Sequence, residues 1–234
     1  MRIRGERECQ SCGTRWTYYE TGSVNCPDCG SPVSVGVGDR VEHTADPIEF
    51  DLSSVRASID EAPREEVAAD AAATAREFCR RAGFVDAGDL LPLSETYLAG
   101  AELREVAGTV ARGFPLADEA ELYYLGLLRG ADRGERPAVE DVPDAFRDER
   151  GRAVARAVET YRREVQTVLE DPAPDVSRTL STIAAHRKRL DALDGDLPPR
   201  ETEVLVEAVR DLGRYVREGD EGALARAGER LERR

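Results

Sequence analysis

Apolar residues recur at helical spacing through most of the chain after residue 53. One stripe runs from Val67 to Ala82 and predicts a helix over residues 63–82, which Gly83 ends. Further stripes predict helices over residues 94–113, 118–129, 154–169, 175–193, 200–218 and 221–232. The helix over 118–129 is apolar on several faces and is expected to be central and buried. The pattern is typical of an up-down multi-helix bundle.

The N-terminal part of the chain has a different pattern. Residues 14–20 and 33–37 are strand-like, the second because valines alternate there with small or polar residues. Residues 38–52 have the pattern of an extended connector whose alternating apolar side chains pack against the next domain. His43, within this connector, is expected to be an exposed loop residue.

These changes of pattern predict three regions. They are a small module over residues 1–37, the connector over 38–52, and an all-α domain over 53–234. A charged, glycine- and proline-containing loop at about 130–143 is longer than a typical helix connection, so it could divide the helical domain into two halves.

Composition and charge narrow the function. The chain has 47 acidic and 33 basic side chains, a net charge of −14, which excludes a nucleic-acid coat over the whole surface. Lys188 is the sole lysine, and the other 32 basic residues are arginines. An acidic composition with almost no lysine resembles that of proteins from salt-in halophiles. No segment resembles a secretion signal or a membrane span. The sequence therefore predicts a cytoplasmic protein with reduced thiols and no membrane contact.

Four of the five cysteines form a metal-binding pattern. Cys9, Cys12, Cys26 and Cys29 give the spacing C-x2-C-x13-C-x2-C, which brings four sulfurs around one ion. Because protein fills all four positions, the predicted ion is structural. Iron fits four sulfurs too, but zinc is favoured because the sequence offers no second redox partner. The fifth, Cys79, lies in a helical stripe and is expected to be a buried small hydrophobe.

The cysteine segment resembles the zinc ribbons of transcription factor B-type and other archaeal proteins. The resemblance rests on residues 9–13 and 26–30 with Trp16 and Tyr18. The whole chain, through its N-terminal segment and residues 127–132, resembles an uncharacterised haloarchaeal zinc-ribbon family. The fold expected is thus a small β zinc ribbon followed by a mostly α-helical domain.

The expected function is binding of a partner through the ribbon, for example in transcription or translation. The partner could be a nucleic acid or a protein. Trp16 and Tyr18 share one strand face and are expected to form the ribbon core. Arg15 and Tyr19 then lie on the opposite face as partner contacts, with stacking on nucleic acid as one use. At the molar salt of a halophile, phosphate attraction is weak, which favours a protein partner. The oligomeric state stays open.

The sequence contains a second basic patch, in the helix predicted over residues 175–193. Arg187, Lys188 and Arg189 form the densest basic cluster, a further candidate partner contact or simply a solvated helix face. The sequence contains no hydrolase, metalloprotease, phosphate-loop or dinucleotide motif, so no catalytic residue is predicted. The alternative is an enzyme of unknown reaction with an accessory structural zinc ribbon.

Overall fold

Short antiparallel strands form the N-terminal part of the structure, a computed structural model that describes residues 1–232. A three-stranded sheet has the order β3-β2-β4, and a separate pair joins β1 to β5. The strands are β1 (Arg2–Ile3), β2 (Glu6–Cys9), β3 (Arg15–Thr17), β4 (Ser34–Val37) and β5 (Val41–Glu42). We call residues 1–42 the N-terminal module, because the pairing of β1 with β5 extends it beyond residue 37.

The predicted strand over residues 14–20 is wrong in its second half. The strand ends at Thr17, and a one-turn helix, α1 (Tyr18–Thr21), follows. The Thr17 side chain caps this helix by accepting a hydrogen bond from the Tyr19 backbone N–H. Gly22 closes the turn with a left-handed backbone conformation. This turn carries both tyrosines off the sheet.

Helices dominate the rest of the described chain, and the predicted bundle is confirmed. Ser94 illustrates how the sequence sets their ends, because its side chain accepts a hydrogen bond from Tyr97 N at 3.1 Å. A hairpin, β6 (Val85–Asp86) and β7 (Asp89–Leu90), interrupts them. The helices are α2 (Ser53–Ala57), α3 (Arg64–Arg81), α4 (Glu95–Val110), α5 (Asp118–Gly130), α6 (Arg147–Val168), α7 (Pro174–Ala192), α8 (Pro199–Glu218) and α9 (Glu221–Glu232).

Two apolar cores organise this helical body, which we define as residues 53–232. One core joins α2 to α5, and the other joins α6 to α9 with the β6–β7 hairpin. The helix α4 contributes to both cores, through Tyr97 and Leu98 to the second and through Leu103 and Val106 to the first. The division into two halves at about 130–143 stays a prediction.

The helix α5 differs from its prediction. Its Tyr124, Leu127 and Leu128 are buried, but Leu122 is 69% exposed. One face of α5 therefore lies at the surface, so the expectation of a central, buried helix is correct only for the opposite face. No helix among residues 1–232 combines the length and apolar character that crossing a bilayer requires.

The connector is docked on both parts of the molecule. Phe50 is buried and stacks on Phe78 of α3, with ring centroids 4.4 Å apart. Thr44 N donates to the Val85 carbonyl at 2.8 Å. His43 is only 4% exposed, so the expectation of an exposed loop residue is wrong. Tyr18 and Tyr19, which α1 turns off the sheet, cover its ring and account for this burial.

Candidate metal centre

Two equivalent turns carry the four cysteines. In the first, Gly13 N donates to the Cys9 carbonyl at 3.0 Å, and in the second Gly30 N donates to the Cys26 carbonyl at 3.0 Å. Both glycines have positive φ, 79° and 71°, a conformation that side chains disfavour. The same local sequence thus makes the same turn twice, and each turn directs two sulfurs to one side.

The four sulfurs converge on one point. Cys9 Sγ lies 3.6 Å from Cys29 Sγ, and Cys12 Sγ lies 3.6 Å from Cys26 Sγ. All four sulfurs lie within 4.8 Å of one another. A tetrahedral ion with Zn–S bonds of about 2.3 Å requires sulfurs about 3.8 Å apart, so the cluster matches the size of such a shell. The residues fit a metal ion, and iron with four sulfur ligands would fit as well.

The cluster is half covered. Cys9 and Cys26 are buried with Trp16, whereas Cys12 and Cys29 are exposed. The Trp16 indole donates from Nε1 to the Ser23 carbonyl at 3.1 Å, which fixes the ring against the sulfurs. Trp16 therefore belongs to the small core, as the sequence predicted, whereas Tyr18, predicted to share that core, lies in α1 and packs against His43. A four-sulfur shell leaves no coordination position for water or substrate, which is the arrangement of a structural ion.

The thiols of the cluster titrate at different pH values. Burial raises the pKa of Cys9, but hydrogen bonds from the backbone of Cys12 and Ser11 outweigh it and lower the pKa to about 6. For Cys29, a backbone hydrogen bond from Ser31 lowers the pKa, but the neighbouring sulfurs, Cys12 first, outweigh it and raise the pKa to about 12. Metal ligands must be thiolates, so binding displaces protons and weakens in acid.

The comparisons with known proteins identify the family. A family model described as a family of unknown function, DUF7117, matches residues 1–231. The chain belongs to DUF7117. Since the match covers both the N-terminal module and the helical body, the two parts together define the family. No curated protein and no solved structure matches the chain.

Two of the predicted contacts of this DUF7117 chain lie apart on the N-terminal module. Arg15 is exposed and pairs with Glu8 across the sheet at 2.7 Å. Tyr19 is half-buried, because its hydroxyl accepts a hydrogen bond from Gly5 N at 3.1 Å and its ring packs 4.7 Å from the His43 ring. Arg15 is thus an exposed, ion-paired residue of the sheet, whereas Tyr19 holds the module against the connector.

Two of the three basic residues in the α7 cluster form ion pairs with carboxylates. Arg187 forms ion pairs with Asp191 and, at 3.3 Å, with Glu159. Arg189 lies 3.8 Å from Glu201, and Lys188 is exposed. Neighbouring carboxylates therefore neutralise two of the three charges. Cys79, expected to be a small hydrophobe, is half-buried against the core that joins α6 to α9, and burial raises its pKa to about 12.

Four arginines that the sequence reasoning did not single out line a cleft of the N-terminal module. The cleft has a volume of about 390 Å³ and contains Ile3 and Gly36 besides the arginines. Among residues 1–232, no carboxylate lines this cleft. The arginines come from β1, the β1–β2 link, β2 and the turn before β5, so their spacing along the sequence gives no pattern; they are Arg2, Arg4, Arg7 and Arg40.

The geometry of the cleft follows from the strand register. Arg7 pairs with Gly36 across β2 and β4, and its guanidinium donates to Ser34 Oγ at 3.0 Å. A Cβ on Gly36 would lie 3.0 Å from the Cβ of Arg4, so glycine makes room for that side chain. Arg4 and Arg40 are exposed, and neither has a hydrogen-bond or ion-pair partner within residues 1–232. Their donors are free for a ligand.

A buried ionic cluster in the helical body was also missed. Glu102 of α4 is fully buried and contacts Arg136 Nε at 2.6 Å and Arg150 Nη1 at 3.2 Å. Both arginines also contact Glu203 of α8 at 3.1 Å, and Tyr123 donates to Glu102. Because Arg136 belongs to the loop at 130–143, this loop is anchored in the interior rather than free.

Proposed function

We propose that this protein acts by binding rather than by catalysis. In this proposal, the four cysteines hold one structural zinc ion in a ribbon-type module, and that module binds nucleic acid. The single observation that supports it best is the cleft lined by Arg2, Arg4, Arg7 and Arg40. Arg2 pairs with Glu42 and Glu170 outside the lining, whereas Arg4 and Arg40 have no ion-pair partner among residues 1–232. Arginine guanidinium groups match phosphate oxygens with two parallel hydrogen bonds, which suits a phosphate backbone.

The distribution of charge supports this location. Residues 1–42 carry five arginines against six carboxylates, a net charge of −1 within the total of −14, so the remaining −13 belongs to residues 43–234. A long polyanion is repelled by the helical body and is tolerated only on the module. There the arginines lie on one side, and Glu8, paired with Arg15, projects from the opposite face of β2 from Arg7.

The composition of the chain resembles that of proteins from salt-in halophiles, whose cytoplasm contains molar salt. Such salt would change which interactions stabilise the proposed complex. At about 1 M salt the Debye length is about 3 Å, so long-range attraction is lost and only directly contacting groups contribute. Arg7, which is held by two hydrogen bonds to Ser34, is preorganised for direct contact. The proposed complex therefore depends on geometry more than on net charge.

The test is a titration of labelled single- and double-stranded DNA and RNA with the zinc-loaded full chain, by fluorescence anisotropy over a salt series. We expect saturable binding. The logarithm of the association constant should fall linearly with the logarithm of the salt concentration. The double variant Arg4→Gln/Arg40→Gln is expected to weaken binding at least about ten-fold at 0.1 M salt. It should also reduce the salt slope by about 1.4 to 1.8, since each removed phosphate contact changes the slope by about 0.7 to 0.9.

Arg15→Gln is the matched control, because Arg15 belongs to the same module but projects from the other face of the sheet. It should bind like the wild type. An equal loss in both variants would show a nonspecific charge effect and would contradict the cleft as the binding site. An absence of binding to every nucleic acid would contradict the proposed function itself.

A protein partner is the second candidate. On the sheet face opposite Arg7, Val35 is 44% exposed and the adjacent Val33 is 58% exposed. Packing of such apolar groups persists at molar salt, where charge attraction weakens. Two results together would favour this candidate. The wild type would bind a purified protein partner but no nucleic acid, and the double variant Val33→Ser/Val35→Ser would no longer bind that partner. A partner retained by that variant would count against it.

A further inference from the structure

The helical body contains its own arginine-lined cleft, between α3, α4 and α6. Its volume is about 290 Å³. Arg76 and Arg80 of α3, Arg104 of α4 and Arg156 of α6 surround it, and Glu105 is the sole carboxylate in its lining. Residues 53–232 of the helical body have a net charge of −12, so a concentration of positive charge there is the opposite of what solvation by carboxylates produces.

Ion pairing within the cleft leaves positive charge uncompensated. Glu105 lies 3.5 Å from Arg104 Nε and 3.4 Å from Arg156 Nη1, so one carboxylate faces two guanidinium groups. Arg80 pairs outside the lining with Glu77 at 2.6 Å. Arg76 is exposed and has no hydrogen-bond or ion-pair partner among residues 1–232. Guanidinium donors from three helices are thus available to one anion.

The floor of the cleft is apolar. Tyr97, Ala101 and Ala157 line it and are 5%, 6% and 0% exposed. The floor thus consists of small alanine side chains from α4 and α6 and the buried Tyr97. A ligand suited to this arrangement places a phosphate among the arginines and a flat or apolar part over the floor.

We propose that this cleft is a binding site for a small organic phosphate. Its volume exceeds what inorganic phosphate needs, and its walls confine the ligand to a small molecule. A nucleic-acid chain is a poor fit, since beyond the four arginines it would cross the acidic surface of the body. The site is separate from the N-terminal module, and the inference does not depend on the function proposed for that module.

The test is isothermal titration calorimetry on the zinc-loaded full chain with four probes: adenosine 5′-monophosphate, ribose 5-phosphate, inorganic phosphate and adenosine. We expect one molecule of an organic phosphate to bind per chain, inorganic phosphate to bind at least about ten-fold more weakly, and adenosine not to bind. Binding of the nucleotide alone would assign the floor to a base, and binding of both organic phosphates would assign it to the sugar; either supports the site.

Arg76→Gln/Arg156→Gln is the decisive variant, because both side chains are exposed and their loss leaves the core intact. We expect affinity for the organic phosphate to fall at least about ten-fold. Arg129→Gln, an exposed change on α5 outside the cleft, should leave the affinity unchanged, as should Arg4→Gln/Arg40→Gln on the module. Unchanged affinity in the cleft variant, no binding of either organic phosphate, or equal binding of inorganic phosphate would overturn the inference.

Discussion

The N-terminal module and the helical body are stabilised in different ways. The buried apolar cluster of the module consists of three residues, Cys9, Trp16 and Cys26, two of which belong to the metal-binding cluster. The helical body, together with Phe50 and Leu52 of the connector, has two clusters of 21 and 20 buried residues. A core of three residues is far too small to offset the conformational entropy of 42 ordered residues, so the module needs a further source of stability. We therefore expect the module to depend on a metal ion at its cysteine cluster, whereas side-chain packing holds the helical body.

The largest expected effect comes from removing one ligand, which breaks the module alone. Cys26→Ser leaves three sulfurs, and structural zinc contributes about 10 to 16 kcal/mol of apparent binding free energy in small zinc-finger peptides at neutral pH. We expect the variant to lose its metal and the module to unfold. Metal analysis and amide NMR spectra of residues 1–42 measure this loss, and far-ultraviolet circular dichroism measures the helices, which should persist.

Cys79→Ser is the matched control for the thiol chemistry, because Cys79 packs against the core of the body rather than in the cluster. It should retain one equivalent of metal. If Cys26→Ser held metal as tightly as the wild type, or if its helices melted together with the module, the two parts would not be stabilised separately.

The second largest expected effect is a loss of unfolding free energy in the helical body. Glu102→Gln keeps the shape of the side chain but leaves Arg136 and Arg150 buried against a single carboxylate, Glu203. Removing one partner of a buried ion pair costs about 3 to 5 kcal/mol. Chemical unfolding followed by circular dichroism should show this loss of unfolding free energy. Glu119→Gln, an exposed change on α5, should alter it by less than about 0.5 kcal/mol. A loss this small for Glu102→Gln would mean that packing alone holds the body.

The same residue makes the stability of the body dependent on pH. Burial would raise the pKa of Glu102, but Arg136 and Arg150 outweigh it and hold the pKa below its ordinary range. A lowered pKa contributes stability above the unfolded value, about 4.3, and this contribution is lost as pH falls through the folded value. The unfolding free energy of the wild type should therefore fall more steeply below about pH 4 than that of Glu102→Gln. Parallel curves would contradict the assignment.

Local sequence patterns predicted most of the helices and the cysteine cluster. The stripe over residues 63–82 matches α3, and the spacing of four cysteines brought their sulfurs within 4.8 Å. Both signals lie within short segments, where the backbone periodicity or a tight turn decides which side chains meet. Such signals need no knowledge of how distant segments pack.

Contacts between distant segments were the ones missed. Glu102 and Glu203 are separated by about a hundred residues, and they meet only because α4 packs on α6 and α6 packs on α8. The arginines of the module cleft come together through the register of β2 with β4 and the pairing of β1 with β5. His43 is buried because a one-turn helix moves two tyrosines off the sheet. None of these arrangements has a periodic signature in the sequence.

The smallest expected effects separate packing from helix propensity within the body. Gly151 on α6 lies against the loop after α7, where an added Cβ would meet the Gly195 carbonyl oxygen at 2.0 Å. Gly108 on α4 has no atom within 4 Å of such a Cβ. Both changes to alanine favour a helix by about 0.5 to 1 kcal/mol. We therefore expect Gly108→Ala to raise the unfolding free energy by about that amount. Gly151→Ala should lower it by about 1 to 3 kcal/mol, because a backbone atom must move. Equal shifts in thermal unfolding would mean that propensity, rather than close packing, limits the stability of the body.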